Sequence, residues 1–290
     1  MSGRPPGRAP GRGALRNAVP DPLPDYSAGR VLPGRRVLVA GGIGEGHGRA
    51  VAVALAKEGA AVAVADSTGR AGLPPGAWPL TGHAEDGPVA ATGRLLSELG
   101  ACSLALHCDL LNESDCRGAA AHTALEFGAI DTLAICARTE SGAGGPLSGA
   151  GGYGGYAPRM PLHSVLWLVR AAQVFMAEGA SVVLMGPEAD RSGPSDPLDA
   201  AAGASGAAGL TRSLAKALQG RGVRVNCVVP GLDGPGDIAA AYVDLAGPSG
   251  RHGTGGVLPV AEVLRTRICA APNGGRGTRD EGVRNRTFGE

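Results

Sequence analysis

The chain has 290 residues, 43% apolar and 18% charged, which fits one large globular domain and excludes a chain disordered throughout. No run of about 18 uncharged apolar residues occurs, so no membrane-spanning helix is predicted. The net charge of +1 joins Arg-rich ends, +5 over residues 1–36 and +3 over 264–290, to a body of −7, and a mildly acidic body excludes the basic face of a sequence-specific nucleic-acid-binding domain.

Residues 1–33, rich in Pro, Gly and Arg and without periodicity, read as a disordered leader. The body, 34–263, opens with a short apolar run at 37–40 and a glycine cluster. A helical stretch, GRAVAVALAKEG, then leads to a buried strand at 60–66. After a Pro/Gly segment at 67–87 the pattern alternates. It predicts a helix near 88–99, a strand at 103–109, a helix at 113–127 and a strand at 131–137. A Gly-rich loop at 141–157 precedes a helix at 161–178 and a strand at 180–186. A loop at 187–197, a helix at 198–219, a strand at 224–231 and a last short strand at 257–260 follow. The remainder, 264–290, reads as a flexible basic tail. Continuous apolar strands alternating with helices predict an α/β fold, a doubly wound parallel sheet of Rossmann type in a single domain.

Six cysteines contain no C-x-x-C pair and no accompanying histidine cluster, which excludes a zinc ribbon or finger and predicts no metal site. The N-terminus has no apolar signal segment, so the expected compartment is the cytoplasm.

The chemistry-bearing feature is VLVAGGIGEGHGRA, residues 37–50. Gly42, Gly46 and Gly48 form G-x-x-x-G-x-G between the first strand and the first helix, with His47 inside it. Glycine permits the tight turn and the close backbone approach to a pyrophosphate, and the helix N-terminus adds unpaired N–H donors. Asp66, 18 residues after Gly48, ends the second strand. A carboxylate there hydrogen-bonds ribose hydroxyls and repels a 2′-phosphate, so NAD is expected over NADP.

With these motifs the chain resembles the short-chain dehydrogenase/reductase family from about residue 35 to 231. The glycine turn is similar to that family's T-G-x-x-x-G-x-G. Asp109-Leu110 matches its adenine-contacting pair. GLTRSLAKAL (209–218) and GVRVNCVVPG (222–231) match its helix-then-strand signature, with Pro230-Gly231 on the nicotinamide side. TGGVLPV (254–260) is similar to its late strand. The Trp-Pro-Leu in the 67–87 insertion and the closing Leu-Pro-Val resemble the actinobacterial mycofactocin-coupled subgroup. The resemblance implies a nicotinamide cofactor held by Gly42, Gly46, His47, Gly48, Asp66, Asp109, Leu110, Ala137, Pro230 and Gly231.

The catalytic positions depart from the family pattern. The family's N-N-A-G is matched by Ile135, Cys136, Ala137 and Arg138. Its serine should follow the fifth strand, which here ends Leu184-Met185-Gly186-Pro187, with Ser192 and Ser195 further on. Its Tyr-x-x-x-Lys falls on Ala200 and Ala204. No Tyr-x-x-x-Lys exists anywhere: Arg30, Ala157, Met160 and Ala246 lie four residues beyond Tyr26, Tyr153, Tyr156 and Tyr242. The only lysines are Lys57 and Lys216. In the family the tyrosine gives its proton to the forming alkoxide, the lysine tunes it and holds the ribose, and the serine polarises the carbonyl. Positioned acid–base catalysis contributes roughly 10²- to 10⁴-fold. Only 22 residues separate Gly231 from Thr254, about half the family's usual substrate-covering segment.

Three readings follow. The first is a divergent NAD-binding member without standard hydride-transfer catalysis, acting as a nucleotide-responsive subunit in a homo-oligomer or beside an active homologue. The second is an oxidoreductase on an alcohol or ketone with relocated acid–base residues, for which Tyr156 and His163 are candidates. The third is a non-redox natural-product enzyme, a dehydratase or cyclase, on the same scaffold.

Overall fold

The computed structural model describes residues 19–44, 46–67, 87–136, 162–187, 197–248 and 251–269. Seven strands are described: β1 (Arg36–Ala40), β2 (Ala61–Asp66), β3 (Ser103–His107), β4 (Thr132–Ile135), β5 (Ser181–Met185), β6 (Arg224–Val229) and β7 (Val257–Pro259). They form one sheet in the order β3-β2-β1-β4-β5-β6-β7, every pair parallel. The seven helices are α1 (Gly48–Lys57), α2 (Gly87–Glu98), α3 (Glu113–Phe127), α4 (Leu162–Ala172), α5 (Pro197–Leu218), α6 (Pro235–Ala246) and α7 (Val260–Cys269). The doubly wound sheet expected from the sequence is present. Its order reverses between β1 and β4, which opens a crevice at the carboxyl ends of those strands.

Alternation along the strands divides the core into two layers. Val37, Val39, Val62 and Val64 pack under α1, α2, α6 and α7. Leu38, Ala40, Ala63, Ala65 and Leu133 face α3, α4 and α5. Both faces are covered, so the strands read as unbroken apolar runs. Helices α1 and α6 pack on one another, and all residues from Ala50 to Ala56 and from Ile238 to Ala246 except Ala240 are buried. A helix apolar on every side needs cover on every side.

Part of that cover comes from a segment expected to be disordered. Residues 19–33 carry Leu23 and Leu32 into the core layer around α1 and α6. The Tyr26 hydroxyl donates to Glu58 Oε1 at 2.9 Å, and the Val31 amide donates to Glu58 Oε2 at 3.0 Å. Lys57 pairs with Asp21 at 2.8 Å and donates to the Leu23 carbonyl. The leader boundary at 33 is therefore corrected: residues 19–33 are a strap over the end of α1. The strap is irregular, turning at residues 24–25 and 33–34, and is anchored at single residues, so it has no periodicity for a sequence to show. The tail boundary also moves, because α7 continues to Cys269, past the expected limit of 263. Helix α6 falls where no element was predicted. Leu162–Ala172 ends short of the helix expected to 178 and continues as a 3₁₀ turn, Gln173–Phe175.

Candidate active site at the carboxyl edge of the sheet

The site is built where β1 turns into α1. Gly41 (φ 79°) and Gly42 (φ 68°) both take the left-handed conformation that favours glycine. A Cβ on Gly42 would lie 2.6 Å from the Cys136 carbonyl oxygen at the end of β4. A Cβ on Gly48 would lie 2.2 Å from the Gly41 oxygen. The turn thus closes on itself and on β4 with no room for side chains. Gly41 completes this cradle and was not among the predicted site residues, although the doubled Gly41-Gly42 was its signal. Gly46 is exposed in the turn. His47 is the N-cap of α1, and its side chain makes no capping bond. No acidic residue stands in the first turn of α1. The helix therefore presents its first-turn amides and positive dipole end to the crevice.

Two side chains brace the turn. Arg49 reaches back to the carbonyls of Ile43 (3.3 Å) and Gly44 (3.2 Å). The Asp66 carboxylate accepts from the Ile43 amide through Oδ2 at 2.8 Å and from the Ser67 amide through Oδ1 at 2.8 Å. Burial pushes the Asp66 carboxyl above its usual range, against the amides of Ile43, Ser67 and Gly44 and the charge of His107. A carboxylate offers about four acceptor positions, so these bonds leave capacity for a ligand hydroxyl. Asp66 thus holds the glycine turn, a role the sequence did not reveal.

Beyond β3, Asp109 is exposed, and its Oδ1 accepts from the Leu111 amide at 2.9 Å. Leu110 is half-buried, and its carbonyl accepts from the hydroxyl of Ser164 on α4 and, at 3.8 Å, from the thiol of Cys116 on α3. The Asp109-Leu110 pair is thus tied to both neighbouring helices. At β6, Pro230 is buried, and the Gly231 amide donates to Asp233 Oδ2 at 2.8 Å. The structure brings Gly42, Gly48 and Asp66 together around one turn. It sets Asp109-Leu110 and Pro230-Gly231 further along the same sheet edge, and Ala137 lies outside the described residues.

The catalytic side of the crevice is different. Helix α5 contains Ala200 and Ala204, and Ala204 and Lys216 are exposed. Strand β5 ends at Met185, and a Cβ on Gly186 would crowd Val229 and Cys227 at 3.1 and 3.2 Å. Ser192, Ser195, Tyr153 and Tyr156 lie outside the described residues. Of the two described tyrosines, Tyr26 belongs to the strap. Tyr242 is buried on α6 and donates to the Ile135 carbonyl at 3.0 Å. Burial, with the neighbouring Cys136 thiol, pushes its phenol well above the usual range. Burial also pushes the Cys136 thiol up to about 12 and the Cys227 thiol up to about 11. None of these three gives up a proton readily at neutral pH. His163 is exposed at the start of α4, its ring 5.9 Å from that of Trp167. Between β6 and α6 only residues 230–234 intervene, so no extra helix covers the crevice there.

Residues 79–235 match the family described as enoyl-(acyl carrier protein) reductase. The chain is 32% identical over 210 residues to the uncharacterized oxidoreductase YhxD of Bacillus subtilis (strain 168), covering 71% of this chain and 64% of that protein. The chain belongs to the short-chain dehydrogenase/reductase family. A second Bacillus subtilis (strain 168) member, the uncharacterized oxidoreductase YhdF, is 25% identical over 207 residues, 71% of this chain and 66% of that one. The matches thus span just under two thirds of each curated relative's length. Among solved members of the fold, a blue fluorescent protein from a metagenomic library, in complex with NADPH, is 26% identical. It has a TM-score of 0.63 and covers 79% of this chain and 97% of that one. A short-chain dehydrogenase from Mycobacterium smegmatis, 24% identical, shares the fold with a TM-score of 0.63 over 81% of this chain and 95% of that one. Among the described residues of this family member, no helix is long and apolar enough to cross a membrane, and no cluster of three metal-ligating side chains is present.

Proposed function

We propose that the protein binds a nicotinamide dinucleotide, NAD in preference to NADP, at the glycine turn, and that it does so without the usual acid–base machinery of its family. The carrying observation is the cradle itself: Gly42 and Gly48 sit where any Cβ would strike backbone. The fit to a pyrophosphate is physical, because close backbone approach and the amides of a helix N-terminus are what an anion needs. The NADPH complex of a structural relative supports the same class of ligand. The preference for NAD rests on Asp66, whose charge faces the ribose end.

When bound, the cofactor supplies or accepts hydride. This chain would hold it through the glycine turn and Asp66 at the adenosine half and through Pro230-Gly231 at the other. A proton donor for a forming alkoxide is what the sequence lacks, since no Tyr-x-x-x-Lys occurs in it. The reading is therefore a nucleotide-responsive subunit that assembles with itself or with an active homologue through α4 and α5. One observation favours a second reading, a slow oxidoreductase: His163 stands exposed at the start of α4, next to the Ser164 that ties α4 to Leu110.

Calorimetry with NAD and NADP tests the first reading, with Gly46→Asp as the control. Gly46 is exposed, so the added charge meets the ligand and not the core. Expected are micromolar NAD binding, loss of that binding in Gly46→Asp, and no absorbance change with a panel of alcohols and ketones. Turnover abolished by His163→Ala would establish the second reading instead. No binding at millimolar cofactor overturns both.

A further inference from the structure

In the pairing of β2 with β3, Asp66 stands directly opposite His107. Register partners in neighbouring strands lie about 4.8 Å apart and turn their side chains to one face. Here that face is the α1–α2 side, where Val62 and Val64 enter the core and Asp66 reaches the glycine turn. His107 is half-buried, and its charge acts on the Asp66 carboxyl. Among the described residues, the other charged groups around this corner are engaged or exposed. Arg49 from α1 is held on the carbonyls of Ile43 and Gly44. Asp115 accepts from the Asp109 amide beyond β3. Arg94 and Glu98 on α2 are exposed. The thiols of Cys108 and Cys136, which feel the charge of Asp66, are buried.

We propose that His107 is a specificity-determining residue, a protonatable partner of Asp66 that sets how strongly the site rejects a 2′-phosphorylated cofactor. The proposal rests on the dinucleotide reading above. With a neutral imidazole, Asp66 presents an uncompensated negative charge to a 2′-phosphate. With an imidazolium the pair carries no net charge, and the repulsion is lifted. Imidazole is the side chain whose ordinary protonation lies nearest neutrality, so the pair is tested on both sides of that range. NAD has no 2′-phosphate and is indifferent to it.

The test measures dissociation constants of NAD and NADP at about pH 5.5 and about pH 8, either side of the histidine range, for wild type, His107→Gln and Asp66→Asn. Titration of the phosphate itself is common to all three proteins. In wild type the NADP-to-NAD ratio of dissociation constants should fall about tenfold on acidification, and in His107→Gln less than about threefold, one decade being the weight of one modest charge interaction. In Asp66→Asn the ratio should be low at both values. Equal falls in wild type and His107→Gln overturn the proposal while leaving the dinucleotide reading intact. Absence of NAD binding at both values overturns that reading and this one with it. Should His107→Gln fail to fold, histidine-selective NMR on wild type decides. NADP raises the His107 titration midpoint relative to NAD, and equal midpoints overturn the proposal.

Discussion

The two edges of the sheet are built to opposite ends. At the amino edge, the carbonyls of Leu245 and Ala246, which end α6, are taken. Arg35 donates to Ala246, and Arg224 donates to Leu245 (3.3 Å) and Gly247 (2.6 Å). The hydroxyls of Ser181 and Thr132 add bonds to Leu245 and Ala246. Beside them, Arg36 grips Asp131 with two bonds, at 2.8 and 2.9 Å. Two guanidiniums at a helix C-terminus also complement its dipole. At the carboxyl edge, α1 faces the crevice with no acid in its first turn and no side-chain capping bond, and Asp66 braces the backbone of the turn. The amino edge uses most of its donors internally, on the carbonyls that end α6 and on Asp131, although Arg35 Nε is buried among them without a hydrogen bond. The carboxyl edge ends on a glycine turn and a helix N-terminus, and on these the proposed binding rests.

Substitutions can break this contrast, and the largest effect should come from Gly48→Ala. Its methyl would enter the Gly41 carbonyl, and displacing the turn should weaken dinucleotide binding by roughly 100-fold, equivalent to about 2.7 kcal/mol, as read by calorimetry. Leu32→Ala attacks the other edge, where Leu32 is fully buried and packs near Gly247. Urea unfolding should show a loss of about 2–4 kcal/mol, with cofactor affinity little changed. Asp131→Ala strips Arg36 of its partner and should cost about 2–3 kcal/mol in the same assay.

Acid sharpens the contrast through sign. Burial raises the Asp131 carboxyl, but the hydrogen bonds and charge of Arg36, with the charge of Arg35, outweigh it and hold the group below its usual range. Its folded value lies under its unfolded one, so its stabilisation is present at neutral pH and fades as pH falls through about 4 and below. Asp66 behaves oppositely, because burial holds its folded value above the unfolded one. Its ionised form opposes folding at neutral pH, and that opposition is relieved on acidification. Measured from about pH 6.5 to 3.5 across the carboxylate range, the stability advantage of wild type over Asp131→Asn should shrink, and that over Asp66→Asn should grow. Slopes of the same sign would refute the contrast. The smallest effect belongs to Arg117→Ala, whose exposed pair with Glu113 on α3 touches neither edge. It should move stability by less than about 0.5 kcal/mol.

How legible this was in the sequence depended on how each part is held. The strands were readable because both of their faces are covered, so Val37–Ala40 and Val182–Met185 are apolar without interruption. The glycine turn was readable because backbone crowding admits only glycine at Gly42 and Gly48. Helix α6 was missed for the converse reason. Ile238–Ala246 is almost wholly buried, so it shows no amphipathic period, and Pro235 at its start was the remaining cue. The strap was missed because two isolated leucines and a few scattered polar contacts leave no pattern among prolines and glycines. Asp66 was expected to be a ribose partner from its place at the end of β2, but its bond to the Ile43 amide joins residues 23 apart through a fold that spacing does not reveal.

The scarcity of lysine gives the strap a chemical signature of its own. Lys57 keeps only 15% of its side chain in solvent while it holds Asp21 and Leu23, whereas Lys216 stands open on α5. An amine-acylating reagent therefore marks Lys216 from the outset and reaches Lys57 only when residues 19–33 lift away. The chain carries in its two lysines both the reporter of that motion and the standard against which to read it.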